Sequence, residues 1–364
     1  MKNIKKILII IQRSNGDVFL SLSLIKVLYD YYESPLIDLL VNDDTAAVAR
    51  LLPHINFIHT FSYKLKKDSR LLQERTLISS IFKKYDLSIN LTASDRSVLY
   101  GFLSAKKSIS AIEVNNKKSW WKKIILSNYY CFDNSKHILQ NNMEPLNLLK
   151  INHQLTLNQP ELSLEALTSI KDKLNKKGIK KFIIFHPSAQ YDYKIYPQKM
   201  RDELLNYLSS LGIPVLVTGS SNKIDLAIKK TLPSLPNIED FIGETTIEEY
   251  LILSNQALAY IGMDTLNMHI AASQNKRIFA IFGPTNLQMW SPWSNELGIS
   301  ATKDMPFQTY GNNTIFQADM PCVACGNAGC DDRHGRSDCL YNIDPKDIFN
   351  PIKNWFYNKG NIQI

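Results

Sequence analysis

The chain has 364 residues, 45% hydrophobic and 21% charged, which is too long for one ordinary core and predicts two domains of similar size. Its formal charge of +8 is uneven: residues 1–150 hold 22 Lys/Arg against 13 Asp/Glu, and residues 151–364 hold 20 against 21. No apolar stretch is long enough to span a bilayer, the start MKNIKKILIIIQR lacks the pattern of a secretory signal, and an odd total of five cysteines argues against a disulfide framework, so a cytoplasmic protein is expected.

The first elements alternate. Lys5–Ile11 reads as a buried parallel strand. Ser14-Asn15-Gly16-Asp17 makes a tight turn, and Val18–Tyr29 has helical periodicity. Leu36–Val41 reads as a strand and Asp44–Leu52 as a helix closed by Pro53. Phe57–Phe61 and Leu87–Leu91 are further strands. This is the pattern of a doubly wound α/β domain, in which ligands bind at the carboxyl ends of the strands. Asp17 lies at the first such end, where it serves either chemistry or a plain helix cap. The turn is not a G-x-G-x-x-G fingerprint, so no dinucleotide cofactor is expected there.

Lys117-Lys118-Ser119-Trp120-Trp121-Lys122-Lys123 joins two indoles to four lysines. Such a patch suits an anionic membrane surface, or else a half-buried aromatic pair with a solvated rim. The polar stretch 151–178 marks the domain junction. A second alternation follows: strand Lys181–His186, helix Lys199–Leu211, strand Pro214–Thr218, helices Ile224–Thr231 and Ile247–Asn255, strand Ala257–Gly262, helix Leu266–Gln274 and strand Arg277–Phe282. The expected division is 1–165, 166–345 with a cysteine-rich loop at 320–340, and a helical tail at 346–364.

Within Ala259–Ala272, AYIGMDTLNMHIAA, a buried strand turns directly into a buried helix through Asp264, Thr265, Asn267 and His269. The first amides of a helix lack intrahelical acceptors, and its dipole favours negative charge there. A phosphorylated ligand would therefore sit near Thr265; the plainer alternative is that Asp264 or Thr265 only caps the helix. In the tail, Cys322, Cys325, Cys330 and Cys339 are spaced C-x2-C-x4-C-x8-C with His334 in the last gap. Four thiols in that span suit a structural zinc; an iron–sulfur cluster or plain reduced cysteines are the other readings.

Seven segments occur in a fixed order: RSNGDVFLSLSLIKVL, INLTASDRSVLYGFLSAKK, IIFHPSAQYDYKIYP, VLVTGSS, IGETTIEEY, IGMDTLNMHIAAS and IFAIFGPTNLQMWSPW. Together they resemble the ADP-heptose:lipopolysaccharide heptosyltransferases, glycosyltransferase family nine, over nearly the whole chain. The cysteine tail resembles a subset that includes heptosyltransferase III-type enzymes. The resemblance implies a GT-B fold, two Rossmann-like α/β domains facing across a cleft, with the acceptor on the first and the nucleotide sugar on the second. It implies inverting transfer of heptose from ADP-L-glycero-D-manno-heptose to the inner core of lipopolysaccharide, with no cofactor required for catalysis. The basic first domain would then meet an anionic glycolipid at the inner membrane, to which the protein would be peripherally bound.

Transfer to a hydroxyl needs a base, stabilisation of the leaving diphosphate and a fixed sugar. By resemblance Asp17 is the base, and Arg13 on the same turn holds Asp17 or meets an acceptor phosphate. Lys194 matches the family's lysine before a tryptophan–proline pair, here Tyr196-Pro197. Ser188 keeps a hydroxyl where Ala189 does not. Asp264, Thr265 and His269 match D-[ST]-G-x-x-H, with Leu266 in place of glycine. Thr218-Gly219 ends a strand near the adenosine, Asp225 is the candidate for the ribose, and Arg96 and His137 are candidate acceptor contacts. Two other readings remain open. One is a GT-B transferase with another sugar donor or acceptor, including a protein hydroxyl. The other is a basic nucleic-acid binder with a zinc-ribbon tail, against which stands the slight acidity of the tail's own half; no nucleic acid is expected.

Overall fold

The computed structural model describes residues 4–113 and 119–358, the side chains of 66–68 excepted. Its chain contacts define two compact units, Met1–Glu161 and Leu162–Ile364.

In the first unit the elements run β1 (Lys6–Ile11), α1 (Asn15–Phe19), α2 (Leu22–Tyr31), β2 (Leu36–Asn42), α3 (Ala46–Ala49), β3 (Ile55–Phe61), α4 (Lys66–Ile81), β4 (Tyr85–Asn90), α5 (Asp95–Ser104), β5 (Ala105–Ile112), α6 (Trp120–Ile125), β6 (Asn128–Cys131) and α7 (Ile138–Leu149). The strands form a six-stranded sheet in the order β3-β2-β1-β4-β5-β6, and every neighbouring pair is parallel. This is the doubly wound order, which reverses direction between β1 and β4. Central β1 is buried from Ile7 to Ile11, as a strand covered on both faces must be. The helix expected over Val18–Tyr29 is broken. Ser21 Oγ donates to Val18 O at 2.7 Å, a local bond that competes with the helical ladder, so α1 and α2 are separate. The helix expected over Asp44–Leu52 shrinks to a 3-10 turn and the single turn α3.

The second unit runs α8 (Leu164–Lys176), β7 (Ile183–His186), α9 (Gln198–Ser209), β8 (Val215–Gly219), α10 (Lys223–Lys230), β9 (Ile238–Ile242), α11 (Ile247–Gln256), β10 (Ala259–Met263), α12 (Leu266–Ser273), β11 (Arg277–Phe282), α13 (Leu287–Trp290), β12 (Phe307–Tyr310), β13 (Asn313–Gln317), α14 (Asp338–Tyr341) and α15 (Pro345–Asn358). Its sheet order is β12-β13-β11-β10-β7-β8-β9. The switch point lies between β7 and β10, and only the β12–β13 hairpin is antiparallel. Thus β7 to β11 repeat the order of β1 to β5. Helix α15 contributes Ile348, Phe349, Ile352 and Phe356 to the same core as β7, β8 and β10, so the C-terminal helix is integral to this unit.

Candidate active site

In the second unit the polar residues gather at the carboxyl ends of β7, β8 and β10. Gly262 pairs with His186 across β10 and β7. A Cβ at Gly262 would lie 2.4 Å from His186 O, so only glycine permits this close strand approach. His186 Nδ1 lies 3.0 Å from Thr218 Oγ1 and 3.0 Å from Asn267 Nδ2. Burial lowers the His186 pKa, with Asp225 pulling the other way. Beside it Asp225, itself buried, accepts from Ser188 Oγ, from Ser220 N and from Asn222 Nδ2. A Cβ on Gly219 would meet Asp225 at 3.2 Å. Ser188, Thr218, Gly219 and Asp225 therefore lie together. The Asp225 carboxylate, proposed for the ribose, is already engaged in fixing the β8–α10 loop.

The β10–α12 turn supplies the second group. Thr265 occupies the N-cap position of α12, yet its side chain makes no cap bond; its hydroxyl lies 3.5 Å from that of Tyr260. The capping explanation thus holds for its backbone and leaves the hydroxyl to other work. Lys194, on a 3-10 turn after β7, places Nζ 3.4 Å from Asp264 Oδ2. His269 is buried, with Nδ1 unpartnered among the described residues. Burial, reinforced by the Lys194 charge, holds its pKa down to about 4, so the imidazole is neutral at pH 7. Lys194, Asp264, Thr265 and His269 therefore form one constellation: a cation paired with a carboxylate, a hydroxyl, a neutral imidazole and the amino end of a helix, of which all but the carboxylate suit a diphosphate.

In the first unit Ser14, not Asp17, is the N-cap of α1. Asp17 stands three residues on, accepting from Ser14 N at 3.2 Å and Ser14 Oγ at 2.6 Å. Its other oxygen is 2.8 Å from Arg13 Nε, and the Arg13 guanidinium lies 4.9 Å over the Phe132 ring. Arg13 thus holds Asp17. The carboxylate is 4% exposed at the carboxyl end of central β1. Arg96 lies between the rings of Phe61 and Tyr63 at 4.0 and 4.7 Å, with Glu74 4.0 Å away. His137 is a buried cap of α7, its Nδ1 accepting from Leu139 N at 3.2 Å. Helix capping and aromatic stacking account for the placement of these two without any acceptor.

A model of glycosyltransferase family 9 (heptosyltransferase) matches residues 75–315. The chain belongs to this family. It is therefore a glycosyltransferase. Among curated proteins, lipopolysaccharide heptosyltransferase 3 of Escherichia coli is 25% identical over 295 residues, covering 78% of this chain and 85% of that one. The solved structure of E. coli ADP-heptose lps heptosyltransferase II superposes with a TM-score of 0.70 at 17% identity, covering 97% and 99%. The iron-containing dodecameric glycosyltransferase TibC from enterotoxigenic E. coli H10407 gives a TM-score of 0.51 at 11% identity, covering 99% and 77%. The fold is GT-B, two Rossmann-like units.

Sequence reading passed over several residues of this glycosyltransferase. In the sequence His186 is only a strand end, and nothing there gives Asn267 a partner. Tyr191 and Tyr193 stack on each other, and the His334 ring lies 5.8 and 5.6 Å from them. The cysteine-rich loop therefore abuts the turn that carries Lys194, a contact between segments some 140 residues apart in sequence. Burial pushes the Cys339 thiol up to about 11, with Cys330 and Cys325 close enough to add to it. Cys330 Sγ accepts from Asp338 N at 3.3 Å. Even so, no group of three His, Cys, Asp or Glu among the described residues is gathered to hold a metal ion. The tryptophan pair divides: Trp121 packs on Val98, Ile112 and Leu126, while Trp120 is 64% and Ile124 70% exposed. Lys122 is fully buried, bonding Ala93 O and Asp95, and Lys117 and Lys118 lie outside the described residues. No helix among the described residues is long and apolar enough to cross a membrane.

Proposed function

We propose that this glycosyltransferase moves heptose from ADP-L-glycero-D-manno-heptose to the inner core of lipopolysaccharide with inversion, using Asp17 as base. The observation that carries the reading is the pair of polar constellations at the carboxyl ends of two like sheets: a buried carboxylate in one, and a cation with a helix amino end in the other. The acceptor hydroxyl oxygen attacks the anomeric carbon and gives its proton to Asp17. The bond from that carbon to the β-phosphate oxygen breaks, and ADP leaves with its new charge facing Lys194, Thr265 and the α12 amides. Neutral His269 keeps a ring nitrogen free to hydrogen-bond the phosphates or the sugar. In the absence of donor, Asp264 neutralises Lys194. The named E. coli heptosyltransferases support this donor and acceptor. The test is incubation with ADP-heptose and defined core-truncated acceptors, read by mass spectrometry; no heptose-sized mass gain on any acceptor would refute it.

The same reading places the protein at the cytoplasmic face of the inner membrane. Trp120 and Ile124, one helical turn apart and both exposed beside Lys123, supply an interfacial anchor. Flotation with phosphatidylglycerol vesicles should carry the protein and should fail for Trp120→Ser/Ile124→Ser; equal flotation would remove α6 from the contact.

A second reading concerns the tail. We propose that Cys322, Cys325, Cys330 and Cys339 hold a structural metal, with zinc the ion their donor chemistry fits best. The spacing supports it, as does the iron-containing glycosyltransferase TibC among the structural neighbours. The thiols are not gathered in this structure, so binding would draw the loop together against Tyr191 and Tyr193. Metal analysis of protein purified without chelators decides the matter, and absence of both zinc and iron sinks the idea.

A further inference from the structure

The adjacent strands β1 and β2 end beside the turn that carries Asp17, and polar side-chain atoms there are left unmatched. Gln12 follows β1 and is 7% exposed, yet neither its Nε2 nor its Oε1 has a partner among the described residues. Asn42, the last residue of β2 and 8% exposed, has an unpartnered Oδ1; its Nδ2 makes one long bond, 3.4 Å, to Arg13 O. The Oδ1 of Asn15, first residue of α1, is also buried and unpartnered. The backbone at Gln12 is fixed, since its N donates to Thr92 Oγ1, just beyond β4, at 3.0 Å.

Buried amides in folded proteins are normally hydrogen-bonded, and each exception needs a reason. A neighbour shows what satisfaction looks like here: Asn90, at the end of β4, bonds Thr92 O, Ser97 Oγ and Ser110 Oγ through its Nδ2 and Thr92 N through its Oδ1. Beside the turn that carries Asp17, by contrast, both polar atoms of Gln12 and the Oδ1 atoms of Asn15 and Asn42 are left unmatched among the described residues. An amide offers both a donor and an acceptor, as does a sugar hydroxyl, so the group is complementary to a ligand rich in hydroxyls and poor in charge.

We propose that Gln12, with Asn42 and Asn15, binds the hydroxyls of the acceptor sugar and so selects which hydroxyl reaches Asp17. The assignment rests on the reading of the first unit as the acceptor unit. It separates two jobs at this end of the sheet: Arg13 and Ser14 fix the carboxylate, and the three amides fix the sugar ring.

The experiment uses Gln12→Leu, which replaces two unmatched polar atoms by apolar ones of similar size. Removing unsatisfied buried polar groups is neutral or stabilising for the protein alone, whereas a sugar contact is lost. Titration calorimetry of the full chain with a heptose-bearing inner-core oligosaccharide, without donor, should show binding weakened at least tenfold in Gln12→Leu, with Tm equal to or above that of the parent. Gln12→Glu, which keeps the acceptor oxygen, should bind at an intermediate level. Parent protein that does not bind the oligosaccharide, Gln12→Leu that binds it equally well, or binding lost together with several degrees of Tm would each overturn the proposal. Failure of the function reads differently: oligosaccharide bound, but no heptose transferred from ADP-heptose.

Discussion

The two units share a strand order and place their polar residues at the same end of the sheet, yet they finish that end in opposite ways. In the second unit the side chains mostly saturate one another: His186 with Thr218 and Asn267, and Asp225 with Ser188, Ser220 and Asn222. What remains open beside them includes His269 Nδ1, the Tyr250 hydroxyl and the α12 amides, with Thr265 Oγ1 held only by a long contact to Tyr260. In the first unit the carboxylate is held, but the amides around it are not. A diphosphate is a rigid, strongly charged ligand that a prebuilt constellation can hold. A sugar acceptor is recognised through many weak, paired hydrogen bonds, and its site stays unsatisfied until it is filled.

The largest expected break in this comparison is Asp17→Asn. The amide keeps a carbonyl oxygen for Ser14 and cannot accept the acceptor's proton, so transfer should fall about 10³-fold. ADP affinity, which the proposed function assigns to the other unit, should stay within twofold by calorimetry. Loss of ADP binding as well would show that Asp17 acts through the fold rather than as a base. Next in size is Lys194→Met, which removes the cation proposed to face the leaving group and leaves Asp264 without its partner. A loss of about 10²-fold in kcat is expected, with the acceptor KM unchanged in steady-state kinetics. An effect confined to the acceptor KM would place Lys194 outside the donor site.

How much of this the sequence disclosed depends on range. The strands of both sheets that are continuous apolar runs, β1, β7, β10 and β11, are legible because burial on both faces leaves little polar interruption, and β2 is legible despite Asp38 because the rest of its run is apolar. Strand β9, IEDFI, is only half-buried at the sheet edge, and the β12–β13 hairpin carries no run of its own, so neither is read. Local ties were readable as well: Arg13 and Asp17 lie four residues apart on one turn. Contacts that depend on topology were not. Nothing in YDYK foretells that His334 stacks on its tyrosines, and Gln12 looks like any polar strand end until its missing partners are seen. The isolated basic and aromatic residues mislead in the other direction. Lys122 reads as a solvated charge and is fully buried, and His137, read as a candidate acceptor contact, has a capping bond that its sequence does not announce.

The smallest effect on activity, and the one that sharpens the contrast most cleanly, concerns the second unit's neutral histidines. His269 is held to about 4 by burial and by Lys194, and His186 is lowered by burial, whereas both rise to about 6.5 in the unfolded chain. Between pH 6.5 and 4 the unfolded state therefore binds more protons than the native one. Stability must rise with pH across that window and fall as pH drops through it. The stabilisation is fully present above pH 6.5; for His269 the span is of order 3 kcal/mol at most. Urea unfolding followed from pH 7 to pH 4.5 should show the midpoint falling steadily, and His269→Gln should flatten that slope while changing the pH 7 midpoint little. Transfer by His269→Gln at pH 7 should drop only several-fold, because a neutral amide still offers the phosphates a hydrogen bond. An unchanged slope would mean that His269 is hydrated in solution, and that the second unit's site is as open as the first.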